Sequence, residues 1–154
     1  MGMTTTVKVL LVTLLVGIPA FLLAPTAPFG PAIWPAPATL TPAPTPGQVG
    51  LLMVFGALEA AALGLGVAFV LLGWRLVRRA TAPDKGRALA MYLSTAWLLV
   101  NWWLHDGLHM VSGMHPGALI RIEYGFHGTL IVAGAALAYC FATMEWQRST
   151  RRPT

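Results

Sequence analysis

Long apolar stretches alternate along this chain with short polar or proline-rich ones. Hydrophobic residues dominate four segments, which are residues 7–23, 48–74, 88–104 and 119–143. An α-helix rises about 1.5 Å per residue, so a segment of about 20 residues can cross a hydrocarbon core of about 30 Å. The pattern therefore predicts an all-α, polytopic membrane protein with four transmembrane helices arranged as two hairpins. The first segment also suits a cleaved secretory signal, which is the alternative to an uncleaved first span.

The composition agrees with a membrane protein and leaves no room for a separate soluble domain. Of the 154 residues, 56% are hydrophobic and 10% are charged, whereas about 25% of residues are charged in a typical soluble domain. We therefore expect one membrane-embedded domain, residues 1–154, that contacts the lipid bilayer. The net charge of +5 does not indicate nucleic-acid binding, because the basic residues cluster in particular connections. Cys140 is the only cysteine, which excludes an internal disulfide.

The distribution of basic residues predicts the orientation in the membrane. One basic residue lies near the N-terminus, five lie in the connection 75–87 and three lie in the C-terminal tail, whereas Arg121 alone lies on the opposite side. Cytoplasmic loops are enriched in Lys and Arg, so both termini and the connection 75–87 are predicted to be cytoplasmic. The proline-rich strap 25–47 and the histidine-rich hairpin 105–118 are then external. We expect the inner (cytoplasmic) membrane of a prokaryote.

The strap 25–47 contains eight of the twelve prolines and no charged residue. Proline removes a backbone donor and fixes φ, so this composition predicts an extended, polyproline-like segment in place of a helix. Ile33 and Trp34 interrupt the pattern, and an apolar pair with an aromatic ring is suited to docking at the headgroup level. Two interpretations remain open, a strap laid over the mouth of the bundle and a mobile linker.

Small residues recur every fourth position in the second predicted span, at Gly56, Ala60, Gly64 and Ala68. Such a ridge lets a neighbouring backbone approach closely where lipid supplies no hydrophobic drive between helices. The ridge therefore predicts a helix–helix contact, either within the bundle or with other membrane subunits or a second copy of the chain. Gly134, Ala138 and Ala142 form a similar ridge in the fourth predicted span.

All four histidines lie in the hairpin and at the start of the last predicted span. Asn101, His105 and His109 recur every four residues and so share one stripe if the third helix continues into the hairpin. Glu123 and His127 repeat that spacing on the next helix. His-x3-His on one helical face can bring two imidazoles to one metal ion, and the facing Glu-x3-His can complete the ligand set. We therefore predict a metal site of His105, His109, Glu123 and His127.

The ligand types leave the metal open. Imidazole and carboxylate suit zinc or iron, whereas Met110, Met114 and His115 add softer ligands that favour copper at an external face. A b-type haem held between His105 and His127 is a further possibility, since two imidazoles at equal depth can serve as axial ligands. It has less support than a metal ion, because such a haem also needs a deep pocket.

Three further polar residues are candidates for supporting roles. Asp106 lies one residue off the histidine stripe and Asn101 lies on it, and either could orient a ligand or pass a proton. Glu59 lies inside the second span, where an ionisable group is expensive and should face the bundle. The rival interpretation is structural, with His105, Asp106, His109 and Arg121 wetted by headgroups. Glu123 and His127 would then simply hydrogen-bond between helices.

Two functions follow from these patterns. The first is a small integral membrane protein with a metal site near its outer face that supports redox or hydrolytic chemistry. The second is a non-catalytic accessory subunit of a larger membrane complex, which the short chain and its small-residue ridges would also suit. A haem-binding membrane subunit and a proton or ion path are further alternatives.

The predicted orientation can be tested with topology reporters. Reporters fused after Arg152 or inserted near Ala80 should both read as cytoplasmic, because nine of the ten basic residues lie on that side. A reporter inserted near Thr41 should read as external. A cytoplasmic signal from the Thr41 insertion would overturn the four-span arrangement.

Overall fold

A computed structural model of the protein describes residues 3–36, 39, 43–81, 84–113 and 115–150, with side chains as far as residue 144. Within these residues the chain is all-α and contains five helices. The first four are α1 (Thr5–Leu22), α2 (Pro46–Leu72), α3 (Trp74–Thr81) and α4 (Lys85–Ser112). The fifth, α5, begins as Pro116–Ile122, passes through a π-helical turn over Glu123–His127 and continues as Gly128–Thr150.

Three helices are long and apolar enough to cross a membrane, namely Thr5–Leu22, Pro46–Leu72 and Pro116–Met144. Large apolar side chains stand exposed around them, as expected of surfaces that face lipid. The helix α4 has 28 residues and is long enough, but its polar residues make it less apolar than the other three. Three of the four predicted spans therefore have the required length and hydropathy, and the fourth span stays a prediction.

The long helices pack in the order α1, α2, α4, α5, and each runs antiparallel to the next. At the α2–α4 contact, the Tyr92 hydroxyl donates a hydrogen bond to the carbonyl oxygen of Val70. At the α4–α5 contact, the indole nitrogen of Trp97 donates to the Thr129 hydroxyl over 3.0 Å. The two predicted hairpins, α1–α2 and α4–α5, are thus joined through α2 and α4.

The small-residue ridge of α2 lies inside the bundle. Gly56, Ala60, Gly64 and Ala68 are all buried, and α1 covers the ridge. A Cβ atom added to Gly64 would lie 2.3 Å from the carbonyl oxygen of Thr13, so the two backbones are in direct contact there. The predicted ridge is therefore used within this chain, and a partner subunit or second copy would need another surface.

The strap between α1 and α2 differs from the predicted extended segment. Over residues 23–36, closely spaced backbone hydrogen bonds fold it into tight turns and a short 3-10 helix, Gly30–Ala32. The backbone N–H groups of Ala24, Ala27 and Gly30 donate hydrogen bonds. Each of these residues is directly followed by a proline, at positions 25, 28 and 31. Proline favours the first corner of a turn and needs no donor there. Residues 37–38 and 40–42 of the strap lie outside the described residues.

Trp34 anchors the strap to the end of the bundle. Its indole nitrogen donates to the carbonyl oxygen of Leu23 over 2.8 Å, and its ring meets that of Trp103 edge-on at 5.6 Å. The ring also covers Gly107, where an added Cβ would lie 2.5 Å from it. This contact supports the interpretation of the strap as a cover over the bundle, docked through Trp34 against α4.

Helix boundaries differ most at the hairpin. The helix α4 continues to Ser112, eight residues beyond the predicted end at Leu104, and Gly113 with φ of 54° ends it. The predicted hairpin 105–118 is therefore mostly helical. The basic connection 75–87 is also largely helical, because α3 occupies most of it. It lies at the same end of the bundle as the start of α1, opposite the strap.

The close contact at Gly64 gives a stability prediction. Gly64→Ala should lower the free energy of unfolding by about 1–3 kcal/mol, because the new methyl group forces α1 and α2 apart. Gly134→Ala is the matched control, since an added Cβ there meets nothing within 4 Å, and it should change stability by less than about 1 kcal/mol. Unfolding in detergent measures both. Equal stabilities of the two variants would show that α1 does not press on the ridge.

Candidate metal site

The continued helix α4 places the predicted stripe in the interior. Asn101 and His105 are buried, and His109, one turn further on, is partly buried. Because α4 packs between α2 and α5, the stripe lies close to both. His105 is seven residues from the end of α4, so it lies about 10 Å below the turn at a rise of about 1.5 Å per residue.

The π-helical turn of α5 supplies the facing residues. Glu123 and His127 are its first and last members, and their side chains are joined, with His127 Nδ1 2.6 Å from Glu123 Oε2. A π-helical turn widens the helix locally, and such turns are common at functional sites. The spacing of Glu123 and His127 was visible in the sequence, whereas the π-helical turn was not.

Three side chains from the two helices meet at one point. The Nε2 atoms of His105 and His109 are 3.0 Å apart, and His109 Nε2 is 3.3 Å from Glu123 Oε1. One ligand atom from each of the three residues lies within 4.8 Å of the others. Neighbouring ligands bonded to one ion at about 2.1 Å are about 3.0 Å apart in octahedral and about 3.4 Å apart in tetrahedral geometry. This group could therefore hold a metal ion.

Two more residues contact two of the three candidate ligands, His105 and Glu123. Asp106 Oδ1 lies 2.9 Å from Nδ1 of His105, which leaves Nε2 of that ring to face His109. His127 makes the equivalent contact with the second oxygen of Glu123. Carboxylate–histidine pairs of this kind fix the tautomer and direction of a metal-binding imidazole. Asp106 thus contacts His105 directly, and His127 joins the group through Glu123.

Asn101 is fully buried one turn from His105, but it bonds to neither histidine. Its amide nitrogen donates to the carbonyl oxygen of Trp97 over 2.6 Å, and its Oδ1 has no hydrogen-bond partner among the described residues. Phe126 was not predicted from the sequence and packs 5.3 Å from the His105 ring, stacked on Trp97. An aromatic residue in an apolar helix gives no sequence signal for such a position.

Glu59 of α2 lies close to the three-residue metal group. It was expected near the bilayer midplane, and it lines a cavity together with Asp106 and His109. A chain of polar contacts runs from Asp106 through His105 and His109 on α4 to Glu123 on α5, and Glu59 of α2 lies beside its Asp106 end.

The softer candidate ligands are Met110, Met114 and His115. Met110 lines the cavity beside His109, and His115 forms the N-terminal boundary of α5 with its ring near Gly117. Met114 lies outside the described residues. Among the described side chains, the three-residue group thus consists of two imidazoles and one carboxylate.

Comparison with known proteins gives no further assignment. No protein-family model matches the chain, and neither the curated proteins nor the solved structures contain a significant match. The chemistry of the site must therefore be inferred from its own residues.

The Asp106 contact predicts an effect on metal affinity. Asp106→Ala should weaken metal binding by about 10–100-fold, because the His105 ring loses the group that orients it. Asp84→Ala is the control, since Asp84 caps the opposite end of the same helix. Chelator competition measures both affinities. An Asp106→Ala affinity within about twofold of the parent would contradict the supporting role.

Proposed function

We propose that this chain is a helical membrane protein that binds a divalent transition metal through His105, His109 and Glu123. The observation that carries the proposal is the convergence of three ligand atoms from two helices within 4.8 Å. Asp106 contacts the second nitrogen of His105, and His127 contacts the second oxygen of Glu123. Pairs of this kind orient the ligands of metal sites.

The ligand set favours iron(II) or zinc. Two histidines and one carboxylate are the ligands of non-haem iron(II) sites, and the same three residue types bind zinc in hydrolytic enzymes. Copper was suggested by the methionines near the hairpin, but the three-residue group itself contributes only nitrogen and oxygen atoms. A metal held by three protein ligands keeps coordination positions open for water or a substrate. The site therefore suits redox chemistry with iron or hydrolysis with zinc.

A haem between His105 and His127 has less support. Their ring centroids are 5.0 Å apart. Two imidazoles bonded at about 2.0 Å to opposite faces of one iron would have centroids more than about 6 Å apart, with the porphyrin plane between them. His127 also turns its Nδ1 towards Glu123. Both helices would have to move apart to admit the macrocycle.

One observation favours the accessory-subunit function as a second candidate. Ala138 and Ala142 are exposed on α5, and an added Cβ on Gly134 meets nothing within 4 Å. This second small-residue ridge is therefore open to a helix from another chain, as small-xxx-small ridges in membranes allow. Association through α5 is compatible with the metal site, because Gly134 lies eleven residues, about 16 Å, along the helix from Glu123.

Elemental analysis of the purified protein tests the metal proposal. We expect about one iron or zinc per chain, and His105→Ala, His109→Ala and Glu123→Ala should each lose most of it, because the three residues share one ion. His115→Ala is the matched control and should keep the metal, since His115 is not part of the group. If the parent protein holds no stoichiometric metal, even after reconstitution, the metal proposal fails and the accessory-subunit function replaces it.

A further inference from the structure

A cavity of about 270 Å³ lies beside the metal group, between the α1–α2 connection, α2 and α4. Its wall includes Leu52, Phe55, Glu59, Asp106, His109 and Met110. His109 belongs both to this wall and to the three-residue metal group. Whatever occupies the cavity therefore touches a residue that would hold the metal.

The lining residues restrict the charge of the occupant. They include two carboxyl groups, those of Glu59 and Asp106, and neither Lys nor Arg. An anion would be repelled by the carboxyl groups, and any charged molecule would have to leave water for an apolar bundle at a high cost in free energy. A neutral molecule with a hydroxyl group meets neither obstacle, because a carboxyl oxygen accepts a hydrogen bond from the hydroxyl.

The size of the cavity restricts the occupant further. An apolar cavity of about 150 Å³ accommodates benzene. A volume of about 270 Å³ therefore suits one aromatic ring with a few substituents and is small for a fused or drug-sized ligand. Phe55 and Leu52 supply apolar surface for such a ring.

The surroundings of the cavity indicate how the occupant would enter. A second hollow adjoins it, sharing Leu52, Phe55, Glu59 and Asp106 and bounded by Leu58 and Trp102. Leu52, Phe55, Leu58 and Trp102 are all exposed, so the shared wall reaches the apolar outer surface of the bundle. A lipid-soluble molecule can approach along that surface.

We propose that this cavity is the substrate pocket of the metal site and that it takes a neutral, lipid-soluble, single-ring molecule bearing a hydroxyl group. The hydroxyl group bonds to the Glu59–Asp106 carboxyl pair, and the ring packs between the apolar residues beside His109. The role of this molecule as a substrate rests on the metal-binding function proposed above. Binding to the cavity itself needs only the carboxyl pair and the apolar wall.

The probe for the experiment is 4-fluoro-2,6-dimethylphenol, followed by fluorine NMR on the full-length protein in detergent. The control ligand is 5-fluoro-1,3-dimethylbenzene, which has the same ring without the hydroxyl group. In metal-free protein the phenol should bind saturably and about five- to tenfold more tightly than the control, as expected for one hydrogen bond. After Co²⁺ is added, the fluorine signal of the bound phenol should broaden, because the ring lies next to a ligand of the paramagnetic ion.

Two variants locate the binding. Leu52→Trp should fill the cavity from its exposed rim and weaken phenol binding at least tenfold. Leu51→Trp is its matched control, because Leu51 is exposed on the same turn of α2 and does not line the cavity. Circular dichroism checks the folding of both variants, and the comparison of the two ligands on the parent protein needs no variant.

The outcomes separate this proposal from the metal proposal. Equal binding of the two ligands, or equal effects of the two variants, would overturn the pocket. Co²⁺ binding in the same experiment would still support the metal proposal. Phenol binding with Co²⁺ bound but no broadening would show that the cavity does not serve the metal site. Phenol binding at the cavity without any Co²⁺ binding would contradict the proposed function and, with it, the role of the phenol as that site's substrate.

Discussion

The polar stripe of α4 is the constraint on which the rest of the bundle depends. Asn101 and His105 are buried within a helix whose neighbours are among the most apolar parts of the chain. A buried polar group without partners costs several kcal/mol in an apolar medium, about 4–8 kcal/mol on transfer to a hydrocarbon. Most of these partners lie on α4 itself, since Asn101 donates to Trp97 and His105 contacts Asp106 and His109. Glu123 of α5 joins the stripe through His109.

Close approach of the helices makes these contacts possible. At Gly64, the ridge of α2 lies directly against the backbone of α1. At Gly66, α2 lies against α4, and an added Cβ there would be 2.5 Å from the Val100 side chain. Trp34 packs on Gly107 and holds the strap against α4. Small residues thus determine how tightly the polar layer is enclosed, and the polar residues determine what that layer can bind.

Much of this arrangement could be predicted from periodicity. The four long helices follow the apolar segments, and the small-residue ridge of α2 indicated a close helix contact. The four-residue spacing placed His105 and His109 on one face of α4, where they meet Glu123 of α5. The histidine stripe required α4 to continue past Leu104, but its end at Ser112 could not be predicted, because polar residues interrupt the apolar pattern there. Two further features could not be predicted. The strap folds through turns set by its donors between prolines, and the π-helical turn at Glu123 leaves no periodic signal. The position of Glu59 beside Asp106 also depends on helix packing and not on depth alone.

X-ray absorption spectroscopy of the metal-loaded protein tests the central claim most directly. The site of His105, His109 and Glu123 predicts only nitrogen and oxygen atoms at about 2.0–2.2 Å, with the outer-shell scattering of two imidazole rings. Metal–sulfur scattering at about 2.3 Å would instead assign the metal to the methionines of the hairpin or to Cys140. A spectrum with no imidazole contribution would contradict the histidine site altogether.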